Sequence, residues 1–309
     1  MKSIIIVITF TIFSATALFS SDLTDFKLRD AVTTNNLKLV KKAITAGADI
    51  NSYSYDTYTP LMAAVSNENY EITEFLISKG ADINKTDKYA NSALMIAASK
   101  ENIKILELLI MNNAEITAKN SDGNTALINA CANKRYANAK ILIRNGAIIN
   151  IQNNSGKTAI IAAAGADSYE LVKLLAENKD TDLNIGDTTG TTALIAAIKQ
   201  QNLEITELLI AAGADINKPD KDLNTPLIIA VSIKNAGIIN FLLSHKADIN
   251  VFNIFAVNAL ITASKNGDAE TVKKLLKNGA DKNAHKGGAT ALDYAKAFNH
   301  RHIIALLKD

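Results

Sequence analysis

The feature that most constrains this chain is a repeat. A leucine or isoleucine opens an apolar segment at Leu61, Leu94, Leu127, Ile160, Leu194, Leu227, Leu260 and Leu292, at steps of 33, 33, 33, 34, 33, 33 and 32 residues. About twenty residues later an acid recurs in phase, as Asp49, Asp82, Glu115, Asp182, Asp215, Asp248 and Asp281, and is lost only at Ile148. The clearest copy runs from Asp187 to Lys218. An apolar run at Ala193–Ala197 is followed by a polar break at Lys199–Asn202, a second apolar-periodic run from Leu203 to Ile210, and a closing Gly213. That pattern predicts helix, turn, helix and loop. Neither helix is long enough to bury an apolar side alone, so each unit needs a copy of itself alongside.

Thr-Pro-Leu or Thr-Ala-Leu at the start of one helix, and Gly-Ala-Asp-Ile-Asn after the next, resemble the ankyrin repeat over residues 23–308. The resemblance implies an all-α ankyrin-repeat solenoid of helix-turn-helix units joined by loops or short β-hairpins. Residues 1–21 are a signal peptide and short leader, and 22–309 the repeat domain. That domain divides into an N-terminal cap (22–52), seven internal repeats (53–284) and a C-terminal cap (285–309). Two departures from the family pattern stand out. The histidine that usually follows Thr-Pro-Leu is replaced by Met62, Met95, Ile128, Ile161, Ile195, Ile228, Ile261 and Asp293, so loops tied by imidazole elsewhere are expected to be less firmly tied here. The loop glycine survives at Gly123, Gly156, Gly190 and Gly288. Thr57, Ala90, Leu223 and Ala256 hold that place in other repeats and must avoid a positive φ or accept strain.

Lys2, the apolar run Ile4–Phe13 and Ala15-Thr16-Ala17 have the order of a secretory signal. The expected location is therefore periplasmic or secreted; an uncleaved N-terminal anchor is the alternative, and only then would the chain meet a membrane. Terminal units need a polar outer side, which Asp25, Lys27, Arg29 and Asp30 supply at one end and His300, Arg301, His302 and Lys308 at the other. Gly165-Ala166-Asp167 imitates the loop signature but falls between two helices of one repeat. The true loop there, Asn178–Asp182, has one extra residue and no glycine, and predicts a weak link in the stack.

No enzymatic chemistry emerges. Cys131 is alone, sits among small first-helix residues such as Ala98, and has no histidine near it in sequence, which suits a packing residue. His300-x-His302 lacks a third ligand at metal spacing. Gly287-Gly288 is not followed by a phosphate-cradle motif. The recurrent loop Asp and Asn residues are turn formers. A formal net charge of +2 argues against nucleic acid as partner. No cofactor and no metal are expected; the partner is another protein. The family resemblance implies that such a partner meets the loop tips and the adjoining first helices, which line a concave face. Non-repeating positions there are Tyr55, Tyr58, Lys88, Tyr89, Ile254 and Phe255 on tips, with Ser99, Lys100 and Lys199 on the helix side. Tyrosine buries a large area and keeps a polar handle, which favours it at interfaces. The competing role for these aromatics is packing between neighbouring loops. A non-catalytic binding scaffold is thus the first reading of function, and a self-associating spacer in the cell envelope the second.

Overall fold

The computed structural model describes residues 22–54 and 58–308. The proposed signal segment and Tyr55 lie outside them. The chain divides into two compact units, Met1–Ile148 and Ile149–Asp309. The first holds α1 (22–33), α2 (Leu37–Thr45), α3 (Pro60–Ser66), α4 (Tyr70–Ser78), α5 (Ala93–Ala98), α6 (Ile103–Met111), α7 (Ala126–Ala132) and α8 (Tyr136–Arg144). The second holds α9 (Ala159–Gly165), α10 (Tyr169–Ala176), α11 (Ala193–Lys199), α12 (Leu203–Ala211), α13 (Pro226–Ser232), α14 (Ala236–Ser244), α15 (Ala259–Lys265), α16 (Ala269–Lys277), α17 (Ala291–Ala297) and α18 (Arg301–Lys308). Among the described residues the loops form no strand, only an isolated antiparallel bridge between Thr86 and Ser92.

Each unit is two layers of helices. In the first, α3, α5 and α7 pack in succession, as do α4, α6 and α8; in the second, α9 to α17 and α10 to α18 alternate in the same way. After α1 the first helices are under two turns long, too short to persist alone. Two things hold them. The hydroxyls of Thr59, Thr125, Thr192 and Thr225 accept from the backbone N–H groups of Met62, Ile128, Ile195 and Ile228, capping each start. Pro60 and Pro226 fill the first helical position, where no N–H is needed. Burial supplies the rest: the recurring Leu61, Leu94, Leu127 and Leu227 are wholly inside, each contributing about 1.5–3 kcal/mol. Ala97, Ala98, Ala163 and Ala197 are buried between helices, where larger side chains would hold the layers apart.

Cys131 is buried in α7, and burial pushes its thiol up to about 12. At neutral pH the native thiol is therefore protonated and shielded. A thiol-reactive chromophore is expected to leave it unmodified until denaturant is added; stoichiometric labelling of the folded protein would contradict this.

Met62, Met95, Ile128, Ile161, Ile195, Ile228 and Ile261 are buried, so apolar packing does fill the place of the family's histidine. The loops are nonetheless tied, by a different device. The side-chain oxygens of Asn51 and Asn84 accept from the N–H groups of Asp82 and Glu115 at 2.8 and 2.9 Å. Asn150, Asn184, Asn217 and Asn250 do the same for Asp182, Asp215, Asp248 and Asp281. Each asparagine thus links its repeat to the next.

The extra residue at 178–182 is absorbed. Thr181 donates its hydroxyl to Leu175 O at 2.6 Å, Asn178 Oδ1 accepts from Asp180 N at 3.0 Å, and Asn150 Nδ2 donates to Asp180 O at 2.7 Å. The expected weak link is therefore a pinned turn. In hydrogen exchange the Asp182 amide should be protected as well as those of Asp215 and Asp248; a dip confined to 178–182 would show the pinning to be ineffective.

Candidate protein-interaction surface

The loop tips are built by one local rule. Asp87 Oδ1 accepts from Tyr89 N and Asn91 N, both at 2.8 Å, closing an Asx turn around Ala90. Asn120, Asn153, Asp187, Asp220 and Asn253 repeat the arrangement. Burial would raise the Asp187 carboxyl, but bonds from the Thr189 hydroxyl and the Thr189 and Thr191 N–H groups, with the Lys157 charge, bring it below the ordinary carboxylate value. Within the staple the chain turns left-handed. Ala90, Leu223 and Ala256 sit at φ +58, +60 and +58°, so these positions accept the strain; Thr57 lies outside the described residues. At the last tip it is Gly287, not Gly288, that takes positive φ. Neither glycine has a side chain, so the sequence offered no way to choose between them. Ala256→Gly should raise stability by about 0.5–1 kcal/mol, the left-handed penalty outweighing the added freedom of the unfolded chain. A lower denaturation midpoint would show that the Asx staple has already removed the strain.

Neighbouring tips are joined through the backbone: Ser121 N donates to Tyr89 O at 2.8 Å, Lys221 N to Thr189 O at 2.9 Å and Ile254 N to Asp222 O at 3.0 Å. At Gly190, a Cβ would lie 2.5 Å from Lys221 N, so close approach as well as φ requires glycine there. These bonds hold the tips in a row and leave their side chains as the variable surface.

In the first unit that surface is a groove of about 530 Å³, in which Tyr58, Lys88 and Tyr89 come together with Arg29 and Thr33 of α1 and Pro60 and Ala63 of α3. Tyr89 is 57% exposed, and Lys88 Nζ lies 5.0 Å from its ring centroid, a cation–π contact that orients the ring. Three of the residues selected from sequence therefore share one site. Arg29 was read only as part of a polar cap; its spacing of four from Thr33, on one side of α1, was the available signal.

Tyr53, also overlooked, has a structural task. Its hydroxyl donates to Thr86 O at 3.1 Å and its ring lies 4.4 Å from Lys85 Nζ, which itself donates to Asn51 O.

The other selected residues lie elsewhere. Ser99 and Lys100 follow the C-terminus of α5, about 9 Å along the helix from its tip end. Their carbonyls accept from Arg135 Nε at 3.0 Å and Asn138 Nδ2 at 2.8 Å, so they belong to a turn pinned by the next repeat. In the second unit Lys199 reaches back along α11 to Thr191 Oγ1 at 3.0 Å, following the N-terminal tilt of helical side chains. It borders a separate depression of about 310 Å³ with Asn224, Ile228 and Ile233. Ile254 and Phe255, 53% and 67% exposed, form an apolar tip beside exposed Leu223.

A family model for ankyrin repeats in three copies matches residues 28–120, 94–187 and 179–253, and one for ankyrin repeats in many copies matches 242–295. The chain belongs to the ankyrin-repeat family. Ankyrin repeats are generally non-catalytic modules that bind other proteins, and the assignment makes this chain a protein-interaction scaffold. None of the curated proteins compared matches it. No described helix is long and apolar enough to cross a membrane. The ankyrin assignment accounts for the Thr-capped first helices and the stapled tips, and leaves the composition of the Tyr58–Tyr89 groove as this chain's own.

Proposed function

We propose that this ankyrin-repeat protein is an exported, non-catalytic scaffold that captures a partner protein through its loop tips and the adjoining first helices, chiefly at the groove of the first unit. The observation that carries this is the convergence of Tyr58, Lys88 and Tyr89 on one groove beside α1 and α3. The order of charge, apolar run and small-residue site in residues 1–17 supports export. Capture from an envelope or secreted fraction should be compared for the wild type and a Tyr58→Ala/Tyr89→Ala variant of equal stability. A partner retained equally by both would remove the groove from the function. N-terminal sequencing that recovered Met1 on a cytosolic protein would remove export.

A second reading is a self-associating spacer element of the envelope, favoured by the exposed apolar cluster Leu223, Ile254 and Phe255. A concentration series by light scattering decides it: assembly that disappears in Phe255→Ser supports the spacer, and a monomer at every concentration ends it.

A further inference from the structure

The groove of the first unit contains an arginine with no ionic partner among the described residues. Arg29 is half-buried, forms no ion pair among the described residues, and its guanidinium contacts Ser52 Oγ at 3.5 Å, the outer limit of a hydrogen bond. The acid in the groove's lining does not neutralise it. Asp87 lines the same groove, but its Oδ1 is taken by Tyr89 N and Asn91 N and its Oδ2 by Asn91 Nδ2 at 3.0 Å. A planar guanidinium offers donors in a fork that matches a carboxylate, and with one long contact to Ser52 its remaining donors are available to a ligand. Tip backbone is also committed, since Tyr89 O already accepts from Ser121 N. Recognition at this tip is therefore assigned to side chains rather than to the Tyr89 carbonyl.

Resting on the protein-scaffold reading above, we propose that this groove accepts an acidic segment of the partner protein. One Asp or Glu carboxylate pairs with the Arg29 guanidinium while a flanking apolar side chain packs on Tyr58 and Tyr89. A polyanion is disfavoured as occupant because the chain's formal net charge is only +2 and, among the described residues, the groove's lining holds one acid beside two cations.

The test begins with random peptides displayed and selected on the purified full chain. The best binder is then measured by fluorescence polarisation against wild type, Arg29→Met, Arg29→Lys and the Tyr58→Ala/Tyr89→Ala variant, alongside the same peptide with its acid changed to the amide. The expected result is enrichment of Asp or Glu beside an apolar residue. Affinity should fall about ten- to hundredfold on either amidation or Arg29→Met, the range for a charged hydrogen bond. Arg29→Lys should recover only part, because the fork is lost. The amide peptide keeps the test decisive if Arg29→Met fails to fold. Binders that need Tyr58 and Tyr89 but are indifferent to amidation would overturn the acidic-segment inference and leave the scaffold site standing. Binders indifferent to the tyrosines as well, or no enrichment at all, would overturn both. Competition by a short single-stranded oligonucleotide as strong as by the acidic peptide would overturn the inference in favour of phosphate recognition.

Discussion

Replacing Asn138 with isoleucine is expected to destabilise the first unit by about 2–3 kcal/mol, although the change makes this repeat look more like its neighbours. The equivalent third position of the second helix is Ile72, Ile105, Leu171, Ile205 or Ile238 in five other repeats and Thr271 in another, all buried. Asn138 is 1% exposed in the same slot, and its amide donates to Ala97 O, Ala98 O and Lys100 O at 3.2, 3.1 and 2.8 Å. The reason lies in the preceding repeat. Elsewhere the turn between a repeat's helices closes with a backbone bond, as from Asn69 N to Ala64 O or Arg135 N to Ala130 O, after a residue at positive φ such as Glu68 or Lys134. In the turn at 99–102 no residue takes positive φ, and Asn102 N donates instead to Glu68 Oε2 at 2.9 Å. Ala98 O lacks the bond that Val65 O takes from Glu68 N in the preceding repeat, because Glu101 N also turns to Glu68 Oε2; Asn138 supplies a donor there, and adds one to Ala97 O, which also accepts from Lys100 N. Isoleucine would gain apolar burial but leave Ala98 O, in a buried contact, without its donor, and the latter effect is the larger. The reciprocal change, Ile105→Asn, should also destabilise, because it buries an amide in a slot that in this repeat is filled by an aliphatic side chain. Urea denaturation of the two variants, followed by helical circular dichroism, measures both. An Asn138→Ile protein as stable as wild type would show that the irregular turn does not depend on this side chain.

What the sequence made legible follows from what repeats. The period located the helices, and Thr59 and Thr225 announced their caps, because capping and packing act within a few residues or between adjacent copies. Ala90, Leu223 and Ala256 could be marked for the same reason as places that avoid a positive φ or accept strain. Features that depend on one repeat differing from the next were harder to see. Asn138 was visible as a polar residue in an aliphatic slot, but its purpose rests on a turn some forty residues earlier. Arg29 looked like one charge among several in a solvated cap, and only the packing of α1 beside the tips turns it toward a groove. Ser99 and Lys100 were non-repeating, as partner-facing residues are. Their irregularity instead belongs to the turn that Asn138 and Arg135 secure.

Tyr89 and Tyr53 offer the sharpest separation of binding from stability, because they are neighbouring-loop tyrosines of similar exposure with different attachments. Tyr89 is 57% exposed and Tyr53 47%. In Tyr89 the side chain touches Lys88, while the tip is fixed through the backbone, by Asp87 Oδ1 and by Ser121 N. Truncation to alanine leaves those bonds intact, so the melting temperature should barely change, within about 0.5 kcal/mol. Affinity for the partner should fall by roughly 1–3 kcal/mol if the ring is an anchor of the groove. Tyr53→Ala reverses the pattern. It removes the hydroxyl bond to Thr86 O and the contact with Lys85, which together join two loops, and should cost about 1–2 kcal/mol of stability. Its affinity per folded molecule should not change, since Tyr53 does not line the groove. Ser121→Ala is the control expected to alter neither quantity. Melting and partner affinity measured on these three variants give the answer. A Tyr89→Ala protein that loses stability while binding as well as wild type per folded molecule would make Tyr89 a packing residue and move the interface away from this groove.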